Sequence, residues 1–534
     1  MRLRRLGGSV AAAVPVGFLS VFFAWPVVSI LWEGLGRRGL RPLLDLAGSP
    51  SFRGVAWFTL WQAVASTVIT VVVALPAAAM VARLRFRGRR LVRALVTVPF
   101  VLPTVVVAGA FEGVFDRFGL ADGALRLRHT VWAILLAHLF FNYAVVVRTV
   151  GAFWAGLDGR IEDQARVLGA SRRLTFLHVT LPRLWPAITA AAAIVFLFSF
   201  TSFGVILVLG GPTRATIETE IYRHAVVRLD LTAAAAHAVA QLAAVVAMVA
   251  VANRLERRRV RPARVSGMTA PRGTRWGLVG NLTVMVMVLG VPVAVLVERS
   301  LSDGSGYSLT NYAALGERVE LLPASAVTAL GNSVRFALAA TAIAVVVGAI
   351  AALVAVHGRR LVARSFDLGL TLPLGTSAVT VGFGILLALD EPVDLRTSVW
   401  IVPIVHAVIG VPFVVRTLVP VLRSIDDRTR EAAAVLGASP ARVRREVDLP
   451  IGARGLAVGA AFAFAVSLGE FGATSFIPRR PGSLTAPLAL FRLLGTPGEA
   501  LRGQAMALAV VLMVLTASAV LVIDALGEAG EGSF

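Results

Sequence analysis

DDRTREAAAVLGASPARVRREVDLP, residues 426–450, has a second copy at residues 158–182, DGRIEDQARVLGASRRLTFLHVTLP. The offset is 406 − 138 = 268, from His406 and His138, and it needs no gap from 138 to 204. At that offset Arg148-Thr149 meets Arg416-Thr417, Asp158 meets Asp426, and Val167-Leu168-Gly169-Ala170-Ser171 meets Val435-Leu436-Gly437-Ala438-Ser439. Leu181-Pro182 meets Leu449-Pro450, Ser199 meets Ser467, and Phe203-Gly204 meets Phe471-Gly472. Chance matching of apolar residues does not supply aligned Arg, Asp, Gly and Pro. The chain therefore reads as a fused duplication.

On either side of each copy the sequence is a series of apolar runs. Of 534 residues 57% are hydrophobic and only 15% are charged, where a soluble domain carries about 25%. Mean hydropathy is +0.81. Runs of about 20 apolar residues cross a bilayer core of about 30 Å. The pattern predicts spans at 9–32, 55–82, 94–114, 131–150, 186–208 and 232–253, then 276–297, 328–356, 366–389, 399–419, 452–472 and 503–525. Pro99, Pro103 and Pro373 fall in the third and ninth. Proline is tolerated in a membrane helix where neighbours satisfy the freed backbone groups. The expected fold is all-α and polytopic, with about twelve transmembrane helices in two parallel six-helix repeats. Residues 1–253 form the first, 254–275 an Arg-rich cytoplasmic linker, and 276–534 the second. The copies lie an even number of spans apart, so they share one orientation and are related by an axis along the membrane normal.

The chain has 52 basic residues, all Arg, and 30 acidic ones, a net charge of +22. That balance does not signal nucleic acid, because the Arg residues fill short loops between apolar runs. Arg83, Arg85, Arg87, Arg89, Arg90 and Arg93 occupy one loop, Arg254 to Arg264 the linker, and Arg359, Arg360 and Arg364 another. With twelve spans all three fall on one side together with both termini, and Arg enrichment makes that side cytoplasmic. The outer loop with Asp390, Glu391 and Asp394 is acidic. Residues 1–5 followed by the apolar 6–31 read as an uncleaved first span rather than a removed signal peptide. There is no Cys, so disulfides, thiolate metal sites and Cys nucleophiles are excluded.

Each repeated stretch lies between the fourth and fifth span of its half. It predicts a helix over 158–168 or 426–436, ended by Gly169 or Gly437 in a left-handed C-cap. Ser171 or Ser439 then caps a second short helix, with Pro440 at its first position. Pro182 and Pro450 mark the approach to the next span. The result is a compact cytoplasmic knob, once per half. Glu431-Ala432-Ala433, three residues, Gly437, nine residues, Val447, one residue, Leu449-Pro450 resembles the EAA-type signature of permease subunits of binding-protein-dependent ABC importers. The first copy departs from it, with Asp163-Gln164-Ala165 before Gly169 and Leu181-Pro182.

That resemblance implies a type I ABC importer permease fold in a bacterial inner membrane. Its knobs would dock two ATPase subunits on the cytoplasmic face, unequally if Asp163-Gln164 weakens one, while an external solute-binding protein docks on loops near 209–231 and 473–502. With no Lys there is no Gly-x4-Gly-Lys-Ser/Thr pattern. The chain is expected to be a transport subunit and not an enzyme. It binds no cofactor or metal itself, and ATP and Mg sit on partner subunits. ATP-driven closure of those subunits would rock the halves and alternate the access of a central cavity.

Candidate path residues are Ser199, Phe200, Phe203, Glu218, Tyr222, Ser467, Glu470 and Phe471. Glu470 ends an apolar run, where a bare carboxylate is costly; a gate group and an interfacial, snorkelling carboxylate both fit. Its first-half counterpart is Ser202 (470 − 268). Helix packing is the plainer reading of the Ser and Phe residues, and a solvated loop that of Glu218, Glu220 and Tyr222. Ser202-Phe203-Gly204, Leu209-Gly210-Gly211-Pro212 and Ala215 to Tyr222 resemble the thiamine permease branch of fused importers. The second-half run 467–472 is similar to that branch and to the ferric-iron permeases alike. Thiamine is the favoured solute and ferric iron the alternative. An ion-coupled secondary transporter shares the parallel halves but gives no reason for matched knobs.

Overall fold

The computed structural model describes residues 12–36, 39–84, 86, 88–89, 92, 96, 99, 101–121, 126–257, 275–304, 306–357, 376–390, 394–396, 398–477 and 480–528. Among them the chain is helical, with one isolated bridge between Ser302 and Tyr307. The first half contains α1 (Ala12–Gly36), α2 (Pro50–Arg83), α3 (Thr104–Arg117), α4 (Val131–Ala155), α5 (Arg160–Val167), α6 (Arg172–Phe200), α7 (Ile217–Tyr222) and α8 (Leu231–Val251). The second contains α9 (Gly277–Leu301), α10 (Ala326–Val356), α11 (Ala378–Ala388), α12 (Ile401–Ser424), α13 (Asp427–Val435), α14 (Pro440–Gly469), α15 (Ala486–Leu494) and α16 (Glu499–Val522).

Ten of these helices are long and apolar enough to cross a membrane. The expected third and ninth spans are represented by α3 and α11, of 14 and 11 residues. Residues 366–375 of the ninth, and 94, 95, 97, 98 and 100 of the third, lie outside the described residues. So do Arg85, Arg87, Arg90, Arg93, Arg359, Arg360, Arg364, Glu391 and linker residues 258–274. The expected fifth span, 186–208, differs from α6. The helix starts earlier, in the knob, and stops at Phe200; a separate helix, Gly204–Leu209, follows.

Lipid as solvent explains the helix surfaces. On α2 the outward stripe is Trp57, Leu60, Val64, Val68 and Val72, all exposed. The opposite stripe is Thr59, Gln62, Ser66, Thr70 and Ala74, all buried. Polar and small residues face protein, because lipid is as apolar as Leu and gives no drive to bury hydrophobes. Four of the helix prolines are seated by a local device; Pro76, Pro186, Pro412 and Pro420 lie inside helices without it. Among the described residues a π turn directly precedes an X-Pro step four times: Ser20–Ala24 before Trp25-Pro26, Phe176–Thr180 before Leu181-Pro182, Val286–Gly290 before Val291-Pro292, and Arg444–Asp448 before Leu449-Pro450. Proline lacks an N–H and its ring clashes with the carbonyl four residues back. The wider turn moves that carbonyl aside without breaking the helix.

The halves are built alike. In the first, α2, α4 and α6 pack together; in the second, α10, α12 and α14 do. The opening helix of each half crosses to the other: α1 packs on α11, and α9 on α3. The two crossings differ in closeness. A Cβ on Gly384 would lie 2.9 Å from Pro26 Cβ and from the Pro26 carbonyl oxygen, whereas one on Gly113 would lie 3.6 Å from Val295. Gly384→Ala is therefore expected to cost about 1–3 kcal/mol by overpacking, and Gly113→Ala to be tolerated. Thermal unfolding in detergent checks this; equal melting temperatures for the two variants would refute the tight crossing.

Candidate functional site

The knobs form as local chemistry dictates. Asp426 caps α13, its carboxylate accepting from the Arg428 N–H at 3.0 Å. Gly169 and Gly437 take φ of +88° and +86°, where a Cβ is disfavoured. Past each glycine the chain closes a Schellman turn: the Ala170 N–H donates to the Ala165 carbonyl and the Ala438 N–H to the Ala433 carbonyl, both at 3.0 Å. Ser171 and Ser439 then cap the next turn, accepting from Leu174 and Arg442 N–H at 3.3 Å. Asp163, Gln164, Glu431 and Ala432 are exposed on these knobs, and Leu181-Pro182 and Leu449-Pro450 sit at the foot of the following span. The loop geometry leaves Val167, Leu168, Val435 and Leu436 outside, 87–88% exposed. Each knob thus presents two adjacent bare aliphatics on an otherwise charged helix.

A cavity of about 340 Å³ lies between the halves. Thr104, His138, Ser202 and Phe203 line it from the first half, and Ser377, Glu470 and Phe471 from the second. Phe203 and Phe471, equivalent in the repeat, stack face to face with centroids 5.4 Å apart. Around them Tyr222 meets Phe203 at 5.5 Å and Phe476 at 5.8 Å, and Phe491 meets Phe471 at 5.2 Å.

The repeat also pairs two histidines. His138 Nε2 lies 2.9 Å from Ser202 Oγ, and His406 Nε2 lies 3.3 Å from Glu470 Oε2. The offset of 268 relates both members of these pairs. His138 Nδ1 is bonded to Ser66 Oγ at 2.9 Å and His406 Nδ1 to Ser467 Oγ at 2.7 Å. Glu470 also accepts the N–H of Ala473 at 2.7 Å and of Thr474 at 3.0 Å. It is buried, so it is no snorkelling group; it faces the cavity and caps the turn Thr474–Phe476.

Other sequence candidates fall elsewhere. Ser199 is buried in packing, its carbonyl accepting from Gln62 at 2.9 Å, and Phe200 stacks on Phe196 away from the cavity. The solvated-loop reading of Glu218, Glu220 and Tyr222 is overturned, because all three are buried in α7. Glu218 accepts from Gln241 at 2.9 Å and, across the halves, from Ser377 at 2.8 Å. Glu220 pairs with Arg223 at 2.9 Å. The segments near 209–231 and 473–502 are not simple loops either: they hold α7 and α15, whose first N–H groups reach Thr59 at 3.1 Å and Ser333 at 2.8 Å. Thr104, Ser377 and the His pair join the site from beyond the sequence candidates. Only the histidines carried a signal, a matched polar residue inside two apolar spans. Among the described residues no cluster of His, Cys, Asp or Glu could hold a metal ion.

The family model of the binding-protein-dependent transport system inner membrane component matches residues 71–261 and again 344–529. The chain belongs to this family. It is an ABC importer permease, a multi-pass transport subunit and not an enzyme. This permease is 28% identical over 500 residues to the "Thiamine transport system permease protein ThiP" of Brucella abortus (strain 2308), covering 90% of this chain and 89% of that one. It is 26% identical over 461 residues to the protein of the same name in Escherichia coli (strain K12), covering 83% of each. A solved bacterial ABC transporter involved in import of the acidic polysaccharide alginate matches 49% of this permease and 98% of that chain, at 19% identity and a TM-score of 0.41.

Proposed function

We propose that this permease carries thiamine inward, delivered by an external binding protein and driven by two ATPase subunits seated on the knobs. One observation carries the solute reading. The cavity between the halves offers a stacked Phe pair and a single acidic side chain, Glu470, from the second half alone. Thiamine is a cation with two aromatic rings. It would stack on Phe203 or Phe471 as they part, with its charge toward Glu470. The relatives named as thiamine permeases support the same solute. In this reading residues 1–253 and 276–534 are the two permease repeats and 254–275 is their cytoplasmic linker, in a bacterial inner membrane with both termini inside. ATP and Mg belong to the ATPase subunits, which take up Val167-Leu168 and Val435-Leu436.

Reconstitution with ATPase and binding protein in proteoliposomes tests it. ATP-dependent accumulation of labelled thiamine is expected, unaffected by dissipating ion gradients and by excess Fe(III). Competition by Fe(III) would replace thiamine with iron as the solute. Uptake driven by an ion gradient without ATP would contradict the mechanism.

A further inference from the structure

Laid one above the other, the knobs are opposed at one pair of positions. Glu162 aligns with Arg430 and Thr180 with Asp448, all at the offset of 268. In each copy the two residues touch. Thr180 Oγ1 donates to Glu162 Oε1 at 3.0 Å, and Arg430 Nε donates to Asp448 Oδ1 at 2.9 Å. The contact is kept while its polarity is reversed. The first knob helix carries the acid and the foot of its span a hydroxyl; the second carries the base and the foot of its span the acid.

Each contact also reaches a second span. Glu162 Oε1 accepts from Arg83 at the end of α2, at 2.8 Å. Arg430 donates to the Leu422 carbonyl near the end of α12 at 2.7 Å, and to Asp427 at 2.9 Å. These ties matter because α5 and α13 bury no residue of their own. Helices this short are marginal without tertiary anchoring, so polar ties do the anchoring here. Burial opposes the charge of Arg430, but hydrogen bonds to Asp448 and Asp427 outweigh it and raise its pKa above the ordinary arginine value. Asp448 is fully buried. Removing one partner of such a pair strands the other charge and is strongly destabilising.

We propose that Glu162 and Arg430 are the positioning residues that tie each knob to its membrane spans, so that α2 and α6 follow one knob and α12 and α14 the other. This rests on the reading of the knobs as ATPase docking sites. It goes beyond that reading by naming the residues through which docking moves the bundle.

The chain has no Cys, so one introduced cysteine reports cleanly. Thr201 lines the cavity. In the full complex with its ATPase subunits, Thr201→Cys alkylation by an impermeant maleimide is compared without nucleotide and after ADP–vanadate trapping. Arg430→Glu should keep the ATPase subunits bound yet shrink the nucleotide-driven change in rate ~5–10-fold, within the usual range of coupling between sites. Adding Asp448→Thr recreates the Glu–Thr contact of the first knob, though not the bond to the Leu422 carbonyl, and should restore part of the change, about two-fold or more over Arg430→Glu alone. Arg430→Gln, which creates no like-charge clash, should shrink it as well and serves if Arg430→Glu does not assemble. A wild-type change in Arg430→Gln with the complex intact would overturn the proposal. So would a double variant no better than Arg430→Glu alone. Gly437→Asp is run alongside. An undamped change there, with assembly intact, sinks the docking reading itself; a damped one beside an undamped Arg430→Gln sinks only the ties.

Discussion

The Gly169→Asp/Gly437→Asp double variant is expected to lose ATP-driven solute uptake by ~100-fold or more, the scale of an interface stripped of its central contacts. Both glycines sit at positive φ with open space around the missing Cβ. A side chain there costs backbone strain of about 1–2 kcal/mol and no steric clash. Asp tolerates that conformation better than most residues. Its larger effect is a carboxylate set beside the bare Val167-Leu168 and Val435-Leu436 pairs, which an apolar socket would have to desolvate. Gly→Ala at both positions supplies the strain without the charge and should leave most of the uptake. Each single Asp variant should fall between the two. Proteoliposome uptake and copurification with the ATPase subunits give the answer together. Wild-type uptake in the double Asp variant, with the permease correctly inserted, would mean that the knobs are not where the motor acts.

The knobs were legible in sequence because every device in them is local. A capping Ser, a left-handed Gly and a proline after a turn lie within a few residues of what they control. Even the helix from 172 through Leu181-Pro182 needs only the π turn before the proline, although that turn carried no sequence signal. The Glu162/Arg430 reversal stands in the aligned copies as opposite charges at one position, but the contacts to Thr180 and Asp448 that give it meaning come only with the fold. The cavity was not. Its walls meet through contacts such as Glu218 to Ser377, 159 residues apart, and His406 to Thr474, 68 apart. Nothing in the polar run around Glu218 distinguishes a loop in water from a short helix folded back between the halves. What decides it is Gln241 and Ser377 arriving from other elements to satisfy the carboxylate. Phe200 takes the plainer of its two readings, helix packing, for a related reason. Only Thr201 and Ser202 separate Phe200 from Phe203, but the break after Phe200 lets the first face Phe196 and the second face its own repeat partner.

Replacing Glu470 separates a cap from a path. As a cap, the carboxylate satisfies two backbone N–H groups and completes a chain in which His406 Nε2 lies 2.9 Å from Thr474 Oγ1 and the Thr474 hydroxyl donates to Glu470. Glu470→Ala strands all of these and is expected to cost about 3–5 kcal/mol, enough to lower the detergent melting temperature sharply. Glu470→Gln keeps a carbonyl oxygen for one of the two N–H groups, which are held by different oxygens, and removes the negative charge from the cavity wall. Its fold should survive, while KM for thiamine uptake rises ~10–100-fold, the loss of one buried charge-assisted contact. Glu470→Ser installs what the first half already has at Ser202, so the site would become symmetric and neutral; it should match Glu470→Gln in KM. If Glu470→Gln instead lowers the melting temperature and leaves KM unchanged, the carboxylate only caps its turn. The cation preference would then have to come from the aromatic faces of Phe203 and Phe471, which every cationic ring shares, and discrimination among such solutes would pass to the external binding protein.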